Sequence, residues 1–100
     1  MQPEKLVADI IKEQSLIIGE SLAKSRAEST GIIKFKSSNI EDISISNGSP
    51  SETIEKVVQS YEQVFGQASV EVCISVIRRF PADDVNMFLP ESLKSRVLAR

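Results

Sequence analysis

The sequence predicts one α+β domain that is rich in helices: a long N-terminal helix and a small β-hairpin precede two or three further helices. Two patterns indicate this fold. Apolar residues between 54 and 65 recur at three- and four-residue steps, as on one helix face, whereas those between 33 and 45 alternate with polar residues, as in a strand. A chain of 100 residues with 41% hydrophobic side chains suffices for one modest core. The predicted segments are residues 1–29, 31–47 and 49–100.

The first predicted element is an amphipathic helix that opens at Pro3 and continues to about Ser29. Gly19 falls on its polar face, so we expect this glycine to weaken the helix without interrupting its apolar stripe. Two polar residues, Gln14 and Ser21, lie inside the stripe. Its apolar members are Leu6, Val7, Ile10, Ile11, Ile17, Ile18 and Leu22.

A two-stranded hairpin is predicted next. Ile33 and Phe35 share one strand face, and Ile43 and Ile45 share another. Pairing apolar with apolar faces sets residue 36 opposite residue 42, a lysine and an aspartate of opposite charge. The alternative is that the serine-rich residues 36–49 form a flexible connection with little strand.

The central helix has the clearest signals. Ser49 can accept a hydrogen bond from the N–H of Glu52 as an N-cap, and Pro50 fits the first helical position. Gly66 stands where a residue with positive φ is expected at the helix end. We therefore predict a helix from residue 50 to residue 65.

Residues 70–77 fit both helical and strand periodicity. As a helix, the segment separates its apolar and polar residues completely, and the turn at Gly66 favours this interpretation. As a strand, its many β-branched residues would add a third strand to the hairpin and give an αββαβα order with a three-stranded antiparallel sheet. The helix is preferred. The main core is predicted to contain Phe35, Ile43, Val57, Tyr61, Val64, Phe65, Cys73, Ile77 and Phe80.

The composition argues against most catalytic chemistry. The chain has no histidine, which is the usual general base and the commonest metal ligand, and Cys73 is its single cysteine. The S-x-x-K spacing of Ser21 and Lys24 lacks the other motifs of serine-lysine enzymes. The adjacent acidic pairs at 41–42 and 83–84 could offer oxygen ligands to a cation, but they are explained more simply as a helix cap and as solvated surface charge. We therefore expect no catalytic residue, metal or cofactor. A small carboxylate-based or metal-dependent enzyme is the weakest alternative.

By elimination, the sequence predicts a non-enzymatic protein-interaction or regulatory module. The N-terminal stripe is broader than a 100-residue chain needs, and polar residues within such a stripe can fix the register between partners. We therefore expect a homo-oligomer. Its predicted partner-binding residues are Leu6, Ile10, Gln14, Ile17 and Ser21.

The alternative function is binding to DNA or RNA by a helix-turn-helix-like segment over residues 50–80, with Arg78 and Arg79 contacting phosphate. A net charge of −2 and a pI near 5.1 argue against it. A lone cysteine, and no apolar run long enough to span a bilayer, favour a cytoplasmic protein without a membrane partner.

Overall fold

The structure, a computed structural model, describes residues 3–46 and 49–98 of the chain. Within these ranges it contains six helices and one two-stranded sheet, which confirms the helix-rich α+β fold. Residues 1–2, 47 and 99–100 of the predicted segments lie outside the described residues. The elements are α1 (Pro3–Ile18), α2 (Glu20–Glu28), β1 (Ile33–Phe35), β2 (Ile43–Ile45), α3 (Pro50–Phe65), α4 (Gln67–Ile77), α5 (Ala82–Asn86) and α6 (Glu91–Leu98).

The N-terminal helix is divided at Gly19, and the prediction of one continuous helix is wrong at this residue. Gly19 adopts φ 93° and ψ 148°, a conformation open to glycine because it has no Cβ atom. Helical hydrogen bonds reach Gly19 from both sides: its N–H donates to Ser15 O, and Ala23 N–H donates to Gly19 O, each at 3.0 Å. A single residue thus turns α2 back against α1.

The central helix begins and ends where the sequence predicts. The side chain of Ser49 accepts a hydrogen bond from the N–H of Glu52 at 3.2 Å, and Pro50 is the first helical residue. Gly66 has φ 73° and joins α3 directly to α4. Residues 70–77 are helical, so the three-stranded alternative is wrong. The two helices pack against each other.

The hairpin has the predicted antiparallel register. Ile33 lies opposite Ile45, and Phe35 lies opposite Ile43. The N–H of Lys36 donates to Asp42 O at 2.8 Å, which continues the ladder past the last paired residues. Because Ile33 and Ile43 are buried, this small sheet is held on one face by the helices, where α1 contacts β2 and α2 contacts β1.

The core lies between α1, α3 and α4, and most of the predicted core residues belong to it. Ile43, Val57, Tyr61, Cys73 and Ile77 are buried; the three phenylalanines at 35, 65 and 80 are half-buried against the core. The prediction is wrong for Val64, which is 51% exposed. Val64 points in the same direction as the buried side chains of α3, but it lies in the last turn of that helix, where the core leaves it half-exposed.

Candidate interaction surface

The turn between α1 and α2 carries three large apolar side chains that no other element covers fully. Leu16 is 80% exposed, Ile17 is 63% exposed and Leu22 is 42% exposed. All three lie within three residues of Gly19. We call these three residues the junction surface. Exposed apolar side chains of this size are typical of interaction sites where they form one continuous patch.

The structure separates the five predicted partner-binding residues into two groups. Leu6, Ile10 and Gln14 are completely buried within the single chain, whereas Ile17 and Ser21 are exposed. In the folded single chain the first three are therefore covered by the chain's own core. The physical reason is that α4 packs along α1 and covers its stripe as far as Gln14. The accessible part of the stripe is its end at the junction surface.

Gln14 is held in the interior by polar groups of α4. Its Nε2 atom donates to the carbonyl oxygen of Ser69 at 3.1 Å and lies 3.5 Å from the Cys73 sulfur. The Ser69 hydroxyl donates to Gln14 Oε1 at 3.4 Å. A buried amide with partners for both its ends carries little desolvation penalty. These contacts fix the position of α1 along α4.

Ion pairs attach the exposed side of α1 to the rest of the chain. Lys12 Nζ lies 3.1 Å from Glu41 Oε2 in the loop that joins the two strands. Hydrogen bonding and charge attraction from Lys12 lower the pKa of the Glu41 carboxyl below its usual value. Glu13 Oε1 lies 3.0 Å from Arg79 Nη2, just beyond the end of α4. Because these pairs are exposed, they add specificity to the docking of α1 more than stability.

Helix α2 is joined to α3 by polar contacts that are buried or partly buried. The hydroxyl of Tyr61 donates to Ala23 O at 2.7 Å, and burial raises the pKa of Tyr61 well above its ordinary value. The Arg26 guanidinium donates to Ser60 O, while the Ser60 hydroxyl donates to Arg26 O at 2.8 Å. Consequently α2 is fixed to α3, independently of the position of α1.

The two arginines of the nucleic-acid alternative line a depression on the surface together with Glu71 and Ser75. Arg79 forms the ion pair with Glu13, so part of its charge is compensated within the chain. Glu71 adds a carboxylate to the same face. A phosphate would meet mixed charge on this side of α4, which is less favourable than an unopposed basic surface.

The buried thiol is poorly suited to nucleophilic chemistry. Burial raises the pKa of Cys73 to about 11, although the hydrogen bond from Gln14 acts in the opposite direction. A thiol of this pKa is almost fully protonated at neutral pH, and the thiolate is the reactive form. Lys24, the second residue of the S-x-x-K spacing, pairs with Glu20 and donates to Ser38 O. Among the described residues, no group of three or more acidic or cysteine side chains could hold a metal ion.

Comparison with protein-family models, with curated proteins and with solved structures found no match for this chain. Across the described residues, no helix is both long and apolar enough to cross a membrane. A function therefore has to be inferred from the surface, the charges and the packing of the chain itself. Of the three residues of the junction surface, the predicted partner-binding set contains only Ile17. Leu16 lies off the helical stripe, whereas Leu22 belongs to the stripe but was not among the predicted partner-binding residues.

Proposed function

We propose that this chain is a non-enzymatic interaction module that associates with a second copy of itself through the junction surface, Leu16, Ile17 and Leu22. The observation that supports the proposal is the exposure of three large aliphatic side chains within three residues of Gly19. Removing apolar surface from water stabilises association by roughly 25 cal/mol per Å². A homodimer is also the commonest assembly that a self-complementary apolar surface can form.

The charges near the junction surface favour a second copy as the partner. Glu20 is paired with Lys24 at 3.1 Å, and Glu13 is paired with Arg79 at 3.0 Å. Because these acidic side chains are compensated within the chain, two copies of the surface can meet without strong repulsion between like charges. The net charge of −2 adds only a small repulsion between the copies. We place this association in the cytoplasm, on the basis of the single buried cysteine.

Sedimentation of the wild type and two matched variants tests the proposal. Ile17→Glu places a charge in the junction surface, whereas Met87→Glu places the same charge at a methionine that is 79% exposed and lies beyond α5. We expect the wild type and Met87→Glu to dimerise with rising concentration and Ile17→Glu to remain monomeric. A monomeric wild type at millimolar concentration, or equal dimerisation of all three proteins, would contradict the proposal.

A further inference from the structure

The turn at Gly19 depends on one residue. No atom outside its immediate chain neighbours lies within 4 Å of the position that a Cβ atom would occupy there, so the space beside Gly19 is open. The helical hydrogen bonds of α1 and α2 already end on its N–H and C=O groups. Rotation of Gly19 from φ 93° to helical values would therefore join the two helices into one, from Pro3 to Glu28.

Such a joined helix cannot keep α1 in its own domain. It would be roughly 39 Å long at 1.5 Å per residue, while the longest extent of the whole molecule is 34 Å. Helix α2 is fixed to α3 by the contacts of Tyr61 and Arg26. Straightening at Gly19 would thus lift α1 away from α4 and vacate the site in which α1 is bound.

The detached α1 would expose a face that only an equivalent site can cover. Leu6, Val7, Ile10 and Ile11 are fully buried in the closed chain. A second copy in the same state offers the vacated groove on α4, with Ser69 and Cys73 in position to bind Gln14. The lost contacts would be replaced by identical contacts between chains, at little cost in free energy.

We propose that the second copy binds by exchange of α1, so that each α1 occupies the other chain's site on α4 and each chain is straight at Gly19. The exchange rests on the proposed self-association and specifies its geometry. Leu16, Ile17 and Leu22 flank Gly19, where the two chains cross, and each points to a different side of the straight helix. On the straight helix the residues at 6, 10, 14, 17 and 21 form one continuous stripe, as the helical spacing of the sequence predicts.

The Lys12–Glu41 ion pair gives a direct test, because it joins α1 to the loop of the hairpin at 3.1 Å. Equal amounts of ¹⁵N-labelled and unlabelled protein are unfolded together and refolded at high concentration. The dimer is then isolated and cross-linked with a carbodiimide, which joins an amine directly to a carboxylate. Mass spectrometry then shows whether the two linked peptides carry the same label. Exchange predicts that about half of the Lys12–Glu41 products have mixed labels. Lys5 and Asp9, paired at 3.3 Å within α1, serve as the control and stay in one chain.

A hinge variant provides the second measurement. Gly19→Ala disfavours positive φ and favours the helix, so we expect it to raise the dimerisation constant at least about tenfold. Gly31→Ala is the matched control: Gly31 has φ 80° and equally free space around it, but it joins no two helices and should leave dimerisation unchanged. A dimer whose Lys12–Glu41 products carry single labels would refute the exchange and leave self-association intact. A chain that remains monomeric would refute both.

Discussion

Gln14 of α1 and Ser69 of α4 exchange two hydrogen bonds in the protein interior, at 3.1 and 3.4 Å. The two residues are 55 positions apart in the chain, so their contact fixes how the N-terminal helix lies on the rest of the fold. The sulfur of Cys73, one helical turn further along α4, completes the surroundings of the amide. A residue that interrupts an apolar stripe in the sequence is thus a satisfied buried group in the folded chain.

Replacing this amide should destabilise the protein. Gln14→Leu removes the partner of the Ser69 hydroxyl while keeping similar volume, and we expect a loss of about 1–3 kcal/mol of unfolding free energy. Urea unfolding of Gln14→Leu, Ser69→Ala and the double variant measures the coupling. Fully additive effects would show that the two side chains do not act together.

The raised pKa of Cys73 predicts a loss of stability in alkaline solution. The thiol ionises at about 11 in the folded chain, against a reference value of 9.0, so the unfolded chain loses its proton first as the pH rises. Stability is unaffected below pH 9 and falls between pH 9 and 11. We expect a loss of about 1 kcal/mol between pH 8 and pH 10. Cys73→Ala should show a smaller loss in the same measurement. An equal loss in both proteins would assign the effect to other groups.

Two valines of α3 should respond differently to truncation. Val57 is fully buried, and Val57→Ala should cost about 2 kcal/mol through lost packing. Val64 is half-exposed, and Val64→Ala should change the unfolding free energy by less than about 0.5 kcal/mol. Chemical denaturation of both variants gives the comparison. A large effect at Val64 would mean that a further contact covers this side chain.

The cap of α3 should contribute measurably to folding. Ser49→Ala removes the hydrogen bond to the N–H of Glu52, and we expect a cost of about 1 kcal/mol. Ser75→Ala, at an exposed position inside α4, is the control and should be neutral or slightly stabilising. Thermal unfolding of both variants gives the comparison. Equal unfolding midpoints would contradict the assignment of Ser49 as the N-cap of α3.

Local signals in the sequence were sufficient to predict the ends of α3 and the register of the hairpin. The cap at Ser49, the end of α3 at Gly66 and the register of Phe35 with Ile43 follow from side-chain chemistry and alternation, which act over a few residues. The break at Gly19 could not be predicted in this way. Helical periodicity counts which residues share a face, and it contains no information about the backbone angle of one glycine.

The sequence predicted only part of the junction surface, because helical periodicity does not contain the tertiary packing. A stripe on one helix shows that its residues will be covered, but not which element will cover them. Leu6, Ile10 and Gln14 are covered by the chain's own core because α4 folds onto α1 over a long sequence separation. Ile17, at the end of the same stripe, remains exposed. Only the tertiary packing distinguishes the stripe residues that the chain buries from those that it leaves exposed.

Isotope-filtered nuclear Overhauser measurements on a mixture of ¹³C-labelled and unlabelled protein test the proposed self-association most directly. They detect contacts between methyl groups of different chains and identify the residues concerned. We predict contacts between chains at the methyl groups of Leu16, Ile17 and Leu22, growing with protein concentration, and no such contacts at Met87. The absence of contacts between chains at millimolar concentration, or contacts confined to Met87, would contradict self-association through the junction surface.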